Sequence, residues 1–295
     1  MTTSASDTAR IVVVGPASWN HLIELEHLPA PTPHMEFARR SVHTLGGTSA
    51  GKALHLNDLG VAVELHSLIG DDADGRCIRD VLREAGVTLR SHASSATERH
   101  VNLMTPTGER ISIYISTPSP ITPGGLATIE QALTDADIAV LDLSDTGVRL
   151  LERHSRIGWD AEVWVDLHDY DGISAYHQPF LSAADVVFMN ADRTRDPWAL
   201  LSTCVTAGPH LAVCTLGADG AIAMDLSGTR YTIPAAAAAV VDTNGAGDAF
   251  MAGFLHATTL GRDVSTSLAA AAQQATVALS TVHTHPVLTG ALGFD

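Results

Sequence analysis

Val240-Val241-Asp242-Thr243-Asn244-Gly245-Ala246-Gly247-Asp248-Ala249-Phe250 reads as a short apolar strand that runs into a glycine-rich turn and then a helix. Phe250, Gly253, Phe254 and Ala257 recur at helical spacing and give that helix a stripe to bury. Strand, tight turn and helix make up the repeating unit of an α/β fold. Backbone amides of Gly245, Ala246 and Gly247 would lie at a helix N-terminus, where free N–H groups and the helix dipole together bind anions. Residues this small let a phosphate approach the backbone. Asp248 falls in the first helical turn, so its carboxylate can face the same pocket and take a proton from a hydroxyl. Taken alone, the stretch also fits a plainer reading, an acid at a helix start after a tight turn.

The same alternation extends outward along the chain. Arg10–Gly15 is a β-branched run ended by Gly-Pro, and reads as a buried strand. Short apolar runs recur at Val61–Leu68, Ile138–Leu143, Glu162–Asp166, Asp185–Asn190 and Leu211–Leu216. Helical patterns lie between them at Ala73–Ala85, Thr122–Leu133, Asp145–Ile157 and Pro197–Ala207, and two long helices follow at Gly245–Leu260 and Val264–His283. In the first, Cys77, Ile78, Val81 and Leu82 share a face. This rhythm predicts an α/β fold with a doubly wound, mostly parallel sheet flanked by helices. Four segments break it: Asn20–His27, Met35–Thr44, His100–Thr105 and Arg110–Thr117, the last two joined by the turn Pro106-Thr107-Gly108-Glu109. They read as a small β-sheet lid formed by about residues 18–44 and 98–117, or as an extension of the main sheet's edge. Residues 10–295 are expected to be one domain, and the polar residues 1–9 a disordered N-terminus.

Composition narrows the partners. Against 33 Asp and Glu the chain has 17 Lys and Arg, a net charge of −16, which repels polynucleotides and anionic membranes. No apolar run approaches the roughly 20 residues of a membrane span. Three cysteines, Cys77, Cys204 and Cys214, are too few and too widely spaced for a disulfide framework or a CxxC metal site. The expectation is a cytoplasmic protein that binds a small molecule.

Asp-Thr-x-Gly-Ala-Gly-Asp followed by a small/aromatic helix resembles the C-terminal signature of the ribokinase-like (PfkB) family of sugar and nucleoside kinases. Other stretches carry the likeness from Ile11 to about His285. Gly46-Gly47 precedes a helix that ends in Asn57-Asp58-Leu59-Gly60, Ile69–Gly75 precedes Leu82–Val87 at the family spacing, and Thr215–Gly220 resembles the strand and turn that border ATP. The resemblance implies ATP-dependent phosphorylation of a hydroxyl, a primary one by expectation, on a sugar or sugar-like molecule. It implies Asp248 as general base and the amides of Gly245, Ala246 and Gly247 as the anion hole. Asn20, Gly46, Gly47 and Gly51 would meet the acceptor. Asn190, Thr215, Gly217, Gly220, Thr243, Gly245, Gly247 and Gln273 would meet ATP, with Gln273 near adenine or simply facing solvent. Mg²⁺ would accompany ATP, through ligands the sequence does not identify, and a K⁺ ion would sit near Asp242 and Asn244. A nucleoside acceptor is the nearest alternative; a catalytically weak ligand-binding or regulatory relative is the alternative of another class. Pairing of exposed lid edges would give a homodimer.

The chain departs from the family pattern where the acceptor is recognised. The Asn and Asp that follow the first strand are replaced by Ser18 and Asn20, and the Asn of the Gly-Gly helix by Gly51. Asn20 can still donate and accept hydrogen bonds but carries no charge. Arg193 stands where the family has a Glu, and the basic residue expected after Asp166-Leu167-His168-Asp169 is missing, a loss Arg193 could offset. His168–Asp171 is a loop cap or a ligand contact on the strand-end side where open α/β sheets bind ligands. Gly46–Ala53 nearly spells a Walker A loop, but Ala53 replaces the hydroxyl residue and a P-loop is rejected. His283-Thr284-His285 reads as a solvated helix end rather than a metal site.

Overall fold

A computed structural model describes residues 9–292. Its main sheet contains β1 (Ile11–Val14), β4 (Val63–Gly70), β5 (Thr88–Ser94), β8 (Ile138–Leu141), β9 (Glu162–Asp166), β10 (Val186–Asn190), β11 (Leu211–Thr215), β12 (Ala221–Asp225) and β13 (Arg230–Ile233). The strand order is β13-β12-β11-β10-β9-β8-β1-β4-β5. All neighbours are parallel except β11–β12 and β12–β13. The order reverses at β1, which pairs with β8 on one side and β4 on the other. In open α/β sheets a crevice opens beyond the strand ends at such a point.

Central strands alternate between two cores, which is why they read as unbroken apolar runs. Ile11 and Val13 face one core, Val12 and Val14 the other; Phe188 and Met189 divide in the same way. The first core holds α1 (Thr48–Asp58), α2 (Ala73–Glu84), α7 (Ala246–Thr259) and α8 (Val264–Leu279). The second holds α3 (Pro123–Thr134), α4 (Asp145–Ile157), α5 (Gln178–Ala183) and α6 (Pro197–Ala207). The short α9 (Leu288–Leu292) follows α8. Asp72, Thr122, Ser144, Asp196 and Asp263 accept amide hydrogen bonds as N-caps of their helices.

The non-rhythmic segments form a separate four-stranded sheet, β3-β2-β6-β7, made of β2 (Ser18–Glu24), β3 (Arg40–Gly46), β6 (Glu98–Met104) and β7 (Arg110–Ser116). They do not extend the main sheet's edge.

Some expectations require correction. Val240-Val241 is not a strand; both valines are exposed, and Val241 N–H donates to Leu279 O. The last long helix ends at Leu279, and His283-Thr284-His285 is buried rather than solvated. His283 Nδ1 lies 2.8 Å from Thr44 Oγ1, which ties this turn to β3. β5, β12 and β13 were not among the expected strands: β5 and β13 carry alternating or polar edge patterns, whereas β12 (Ala221–Asp225) is a short buried apolar run that was passed over. The expected disordered segment falls on residues 1–8, outside the described residues, and on residue 9. No helix among the described residues is long and apolar enough to cross a membrane.

Candidate active site

Strand ends and helix starts converge at the sheet's reversal point. Asp142 follows β8, Asp166 ends β9, α1 brings Lys52, and α7 brings Asp248 from its first turn. Lys52 Nζ lies 2.9 Å from Asp142 Oδ1, 2.9 Å from Asp248 Oδ1 and 3.4 Å from Asp166 Oδ2. Only 1% of Lys52 is exposed. A buried ammonium is tolerated when such partners surround it. Thr48 and Ser49 hydroxyls donate to Asp142 Oδ2, so that carboxylate is fully engaged. Asp248 Oδ2, by contrast, has no hydrogen-bond partner among the described residues.

Three carboxylates around one ammonium leave the cluster two charges negative. Burial alone would depress the Lys52 ammonium, but Asp142, Asp248 and Asp166 outweigh it and raise its pKa, so it stays a cation. Burial, reinforced by Asp142 and Asp166, pushes Asp248 up to about 6 despite Lys52. Burial works the same way on Asp166, yet His168, Lys52 and the His168 amide hold it below the usual carboxylate range. Asp248 is thus the member of the group that exchanges a proton near neutral pH. Because only the carboxylate can accept a proton, activity should fall about tenfold per pH unit below about 6. A kcat/KM profile measured from pH 4.5 to 8 checks this, and a limb near pH 4 would contradict it.

Gly51 explains how Asp248 fits against α1. A Cβ at Gly51 would sit 2.7 Å from Asp248 Oδ2. Gly51 is therefore packed behind the carboxylate and does not line the adjoining cavity. Gly46 and Gly47 do line it, but each is also confined by its neighbours. A Cβ at Gly46 would overlap the Asn20 amide, and one at Gly47, where φ is 90°, would strike Pro16 O. Asn20 is buried at the cavity wall and accepts a hydrogen bond at Oδ1 from Ser18 Oγ, 2.8 Å away. Ser18 and Asn20, both departures from the family pattern, thus form one unit.

The cavity has a volume of about 910 Å³. One wall is the small sheet: Asn20 on β2, His100 and Asn102 on β6, and Arg110, Ser112 and Tyr114 on β7. The opposite wall includes His66 and His92, whose ring nitrogens lie 3.0 Å apart. Burial lowers the pKa of both, that of His92 to about 4, so the pair is neutral. Asp248 and Asn244 also line the cavity, but Asn190, Thr215, Gly217, Gly220, Thr243 and Gln273 do not. Those expected ATP contacts lie elsewhere. Asn190 and Thr215 are register partners at the ends of β10 and β11, and Leu216 N–H donates to Gly220 O across the turn beyond them. Gln273 is exposed on α8; its neighbour Gln274 is buried and lies 2.9 Å from His55 Nδ1.

Gly245 adopts a left-handed conformation (φ 80°) immediately before α7. The amides of Gly245 and Gly247 have no partner among the described residues, and that of Ala246 reaches only Thr243 O at 3.4 Å. The loop is thus equipped to bind an anion beside Asp248. Arg110 reaches from β7 to within 3.2 Å of Asn244 Oδ1. The Asn244 N–H in turn donates to Asp242 Oδ1, so this guanidinium and the two residues expected near a K⁺ ion are linked in one chain of hydrogen bonds. Among the described residues no group of three or more His, Cys, Asp or Glu is arranged to hold a metal. Arg193 meets exposed Asp169 at 3.5 Å rather than the buried carboxylates.

Lys52 and Asp142 were not assigned by sequence. Lys52 was passed over within the near-Walker stretch, and Asp142 lay unremarked inside the run Ile138–Leu143. The available signal was a lysine amid Ala50, Ala53, Leu54 and Leu56, since a lysine inside an apolar helix face must be paired if buried.

The family model described as pfkB family carbohydrate kinase matches residues 8–288. Acarbose 7(IV)-phosphotransferase from an Actinoplanes species is 28% identical over 269 residues, 89% of each chain. A nucleoside kinase from Methanothermobacter thermautotrophicus is 26% identical over 272 residues, 88% of this chain and 86% of its own. Among solved structures, a microbiome-derived acarbose kinase is 30% identical, with a TM-score of 0.79 and 95% of each chain covered. Ribokinase from Thermotoga maritima, at 16% identity, has a TM-score of 0.77 and shares the fold.

Proposed function

Because the chain belongs to the pfkB family of carbohydrate kinases, a phosphotransferase family acting on hydroxyls, we propose that it transfers the γ-phosphoryl group of ATP to a hydroxyl of a sugar or sugar-like molecule, with Asp248 as base. The observation that carries this reading is the position of Asp248. One carboxylate oxygen is held by Lys52, the other has no hydrogen-bond partner among the described residues, and Asp248 lines a cavity next to the loop whose amides are unpaired. Oδ2 takes the acceptor hydroxyl proton while that oxygen attacks the γ-phosphorus; the bond from the γ-phosphorus to the bridging oxygen breaks, and ADP leaves. The Gly245–Gly247 amides stabilise charge on the phosphoryl oxygens, a charge that Mg²⁺ bound to ATP would share. ATP binds along the ends of β10 and β11, the acceptor binds in the cavity, and the small sheet acts as a lid that excludes water.

The cavity favours an acceptor larger than one sugar ring. Its 910 Å³ is near the upper end of the roughly 300–1,000 Å³ of small-ligand sites, and it lies on the acceptor side of Asp248. The neutral His66–His92 pair, Asn20, Asn102 and Ser112 offer hydrogen bonds suited to an uncharged polyol, and Tyr114 offers a ring face to stack on. This agrees with the acarbose-directed names of two relatives. The nucleoside reading is supported by the nucleoside kinase relative. ADP release measured across monosaccharides, nucleosides and oligosaccharides separates the two. The expected result is the highest kcat/KM with an oligosaccharide or pseudo-oligosaccharide. Highest turnover with nucleosides would reverse the assignment. Calorimetric sugar binding without ADP formation from any acceptor would point to a non-catalytic relative.

A further inference from the structure

We infer that Lys52 is the positioning residue of the catalytic base: it fixes Asp248 Oδ1 so that Oδ2 alone faces the acceptor, and its ammonium is the cation paired with that carboxylate. This inference rests on the assignment of Asp248 as the base.

The geometry assigns the role. Lys52 Nζ is 2.9 Å from Asp248 Oδ1 and 2.9 Å from Asp142 Oδ1. Asp142 is itself anchored by Thr48 and Ser49, so the ammonium is held on a fixed post. A carboxylate with one oxygen tied to that post cannot rotate freely about its terminal torsion. On its other side, Gly51 supplies the space that Oδ2 needs. Adjacent residues of α1 thus set the base, Gly51 by leaving room and Lys52 by holding it.

Lys52 does not act on substrate directly. It is buried, does not line the cavity, and holds its proton more tightly than an ordinary lysine. A permanently charged group out of reach of the acceptor can neither accept nor donate the transferred proton. What it can do is oppose the factors that would protonate Asp248. From the sheet, Asp142 and Asp166 face Asp248 with like charge, and His168 stands behind Asp166. From α1, Lys52 is the one cation; of the other titratable groups there, His55 turns to Thr284 O and Gln274, and Asp58, at the far end of the helix, meets His285. The helix packed along α7, α8, contributes no charged side chain. Burial and two carboxylates raise the Asp248 pKa, and Lys52 is the largest opposing influence.

The test compares pH profiles of kcat and kcat/KM for wild type, Lys52→Met, Asp142→Asn and the double variant Lys52→Met/Asp142→Asn. The double variant removes one cation and one anion, so the cluster keeps its net charge and remains comparable in folding even where Lys52→Met alone does not fold. Circular dichroism verifies the fold of each. The acid limb of the double variant is expected to lie about one pH unit or more above that of Asp142→Asn, because only Lys52 differs between them. At pH 7 its kcat should be lower by roughly twofold from the displaced limb, and by more where the base is no longer held, recovering partly as pH rises, with KM for ATP unchanged. A kcat reduced equally at every pH, with the limb in place, is the mark of a structural role and overturns the inference. So does a double variant indistinguishable from Asp142→Asn. Wild-type protein with no ATP-dependent transfer overturns the kinase assignment and this inference with it, whereas wild-type activity with an unmoved limb overturns this inference alone.

Discussion

Asp248→Asn is expected to bind ATP as wild type does and to lose turnover by roughly two to four orders of magnitude, the usual contribution of a general base. The amide matches the carboxylate in shape, so the packing against Gly51 survives. It cannot accept the hydroxyl proton, however, and its neutral side chain no longer balances Lys52. The nucleotide contacts proposed above, at the ends of β10 and β11 and at the loop backbone, do not use this side chain, so affinity for ATP should be retained. Removing a buried carboxylate that burial and two like charges disfavour should also spare the fold. Calorimetry with a non-hydrolysable ATP analogue, beside an ADP-release assay, checks both halves. Turnover within threefold of wild type would remove Asp248 from the mechanism.

Gly51→Ala is expected to reduce kcat about a hundredfold while leaving the protein folded. Within a helix, alanine is favoured over glycine by about 1 kcal/mol, so local propensity alone would stabilise α1. The added methyl, however, would approach Asp248 Oδ2 to 2.7 Å and Cγ to 3.1 Å. The carboxylate must shift away, and a displacement of roughly 1 Å at a reacting group can cost 10²-fold. Loss of activity without loss of secondary structure separates this effect from misfolding. Thermal unfolding followed by circular dichroism, together with kcat and KM for both substrates, provides the check; a fully active Gly51→Ala enzyme would show that the base tolerates the shift. Gly51, which from sequence looked like a lost acceptor contact, therefore has a structural reason of its own.

The fold was readable because its signals are local. Runs such as Ile11–Val14 and Val186–Asn190 are apolar on both faces, as strands between two helical layers must be. The Pro-Thr-Gly-Glu turn between β6 and β7 marked the small sheet in the same way. The glycine loop with Asp248 was readable because anion binding requires small residues next to a helix start. The central ion cluster was not, because Lys52, Asp142, Asp166 and Asp248 are distant in sequence and meet only at the reversal point of the sheet. Nor was the burial of His283–His285, which depends on contact with β3, 239 positions away. Spacing along a chain reveals periodic faces, but it does not reveal which charged residue fills the interior of an otherwise apolar face.

Mass spectrometry of the acceptor after incubation with MgATP tests the central claim most directly. The account predicts a monophosphorylated acceptor formed in equal amount with ADP by the wild-type protein and absent with Asp248→Asn. ADP released without phosphorylated acceptor, or the same product yield from both proteins, would contradict it.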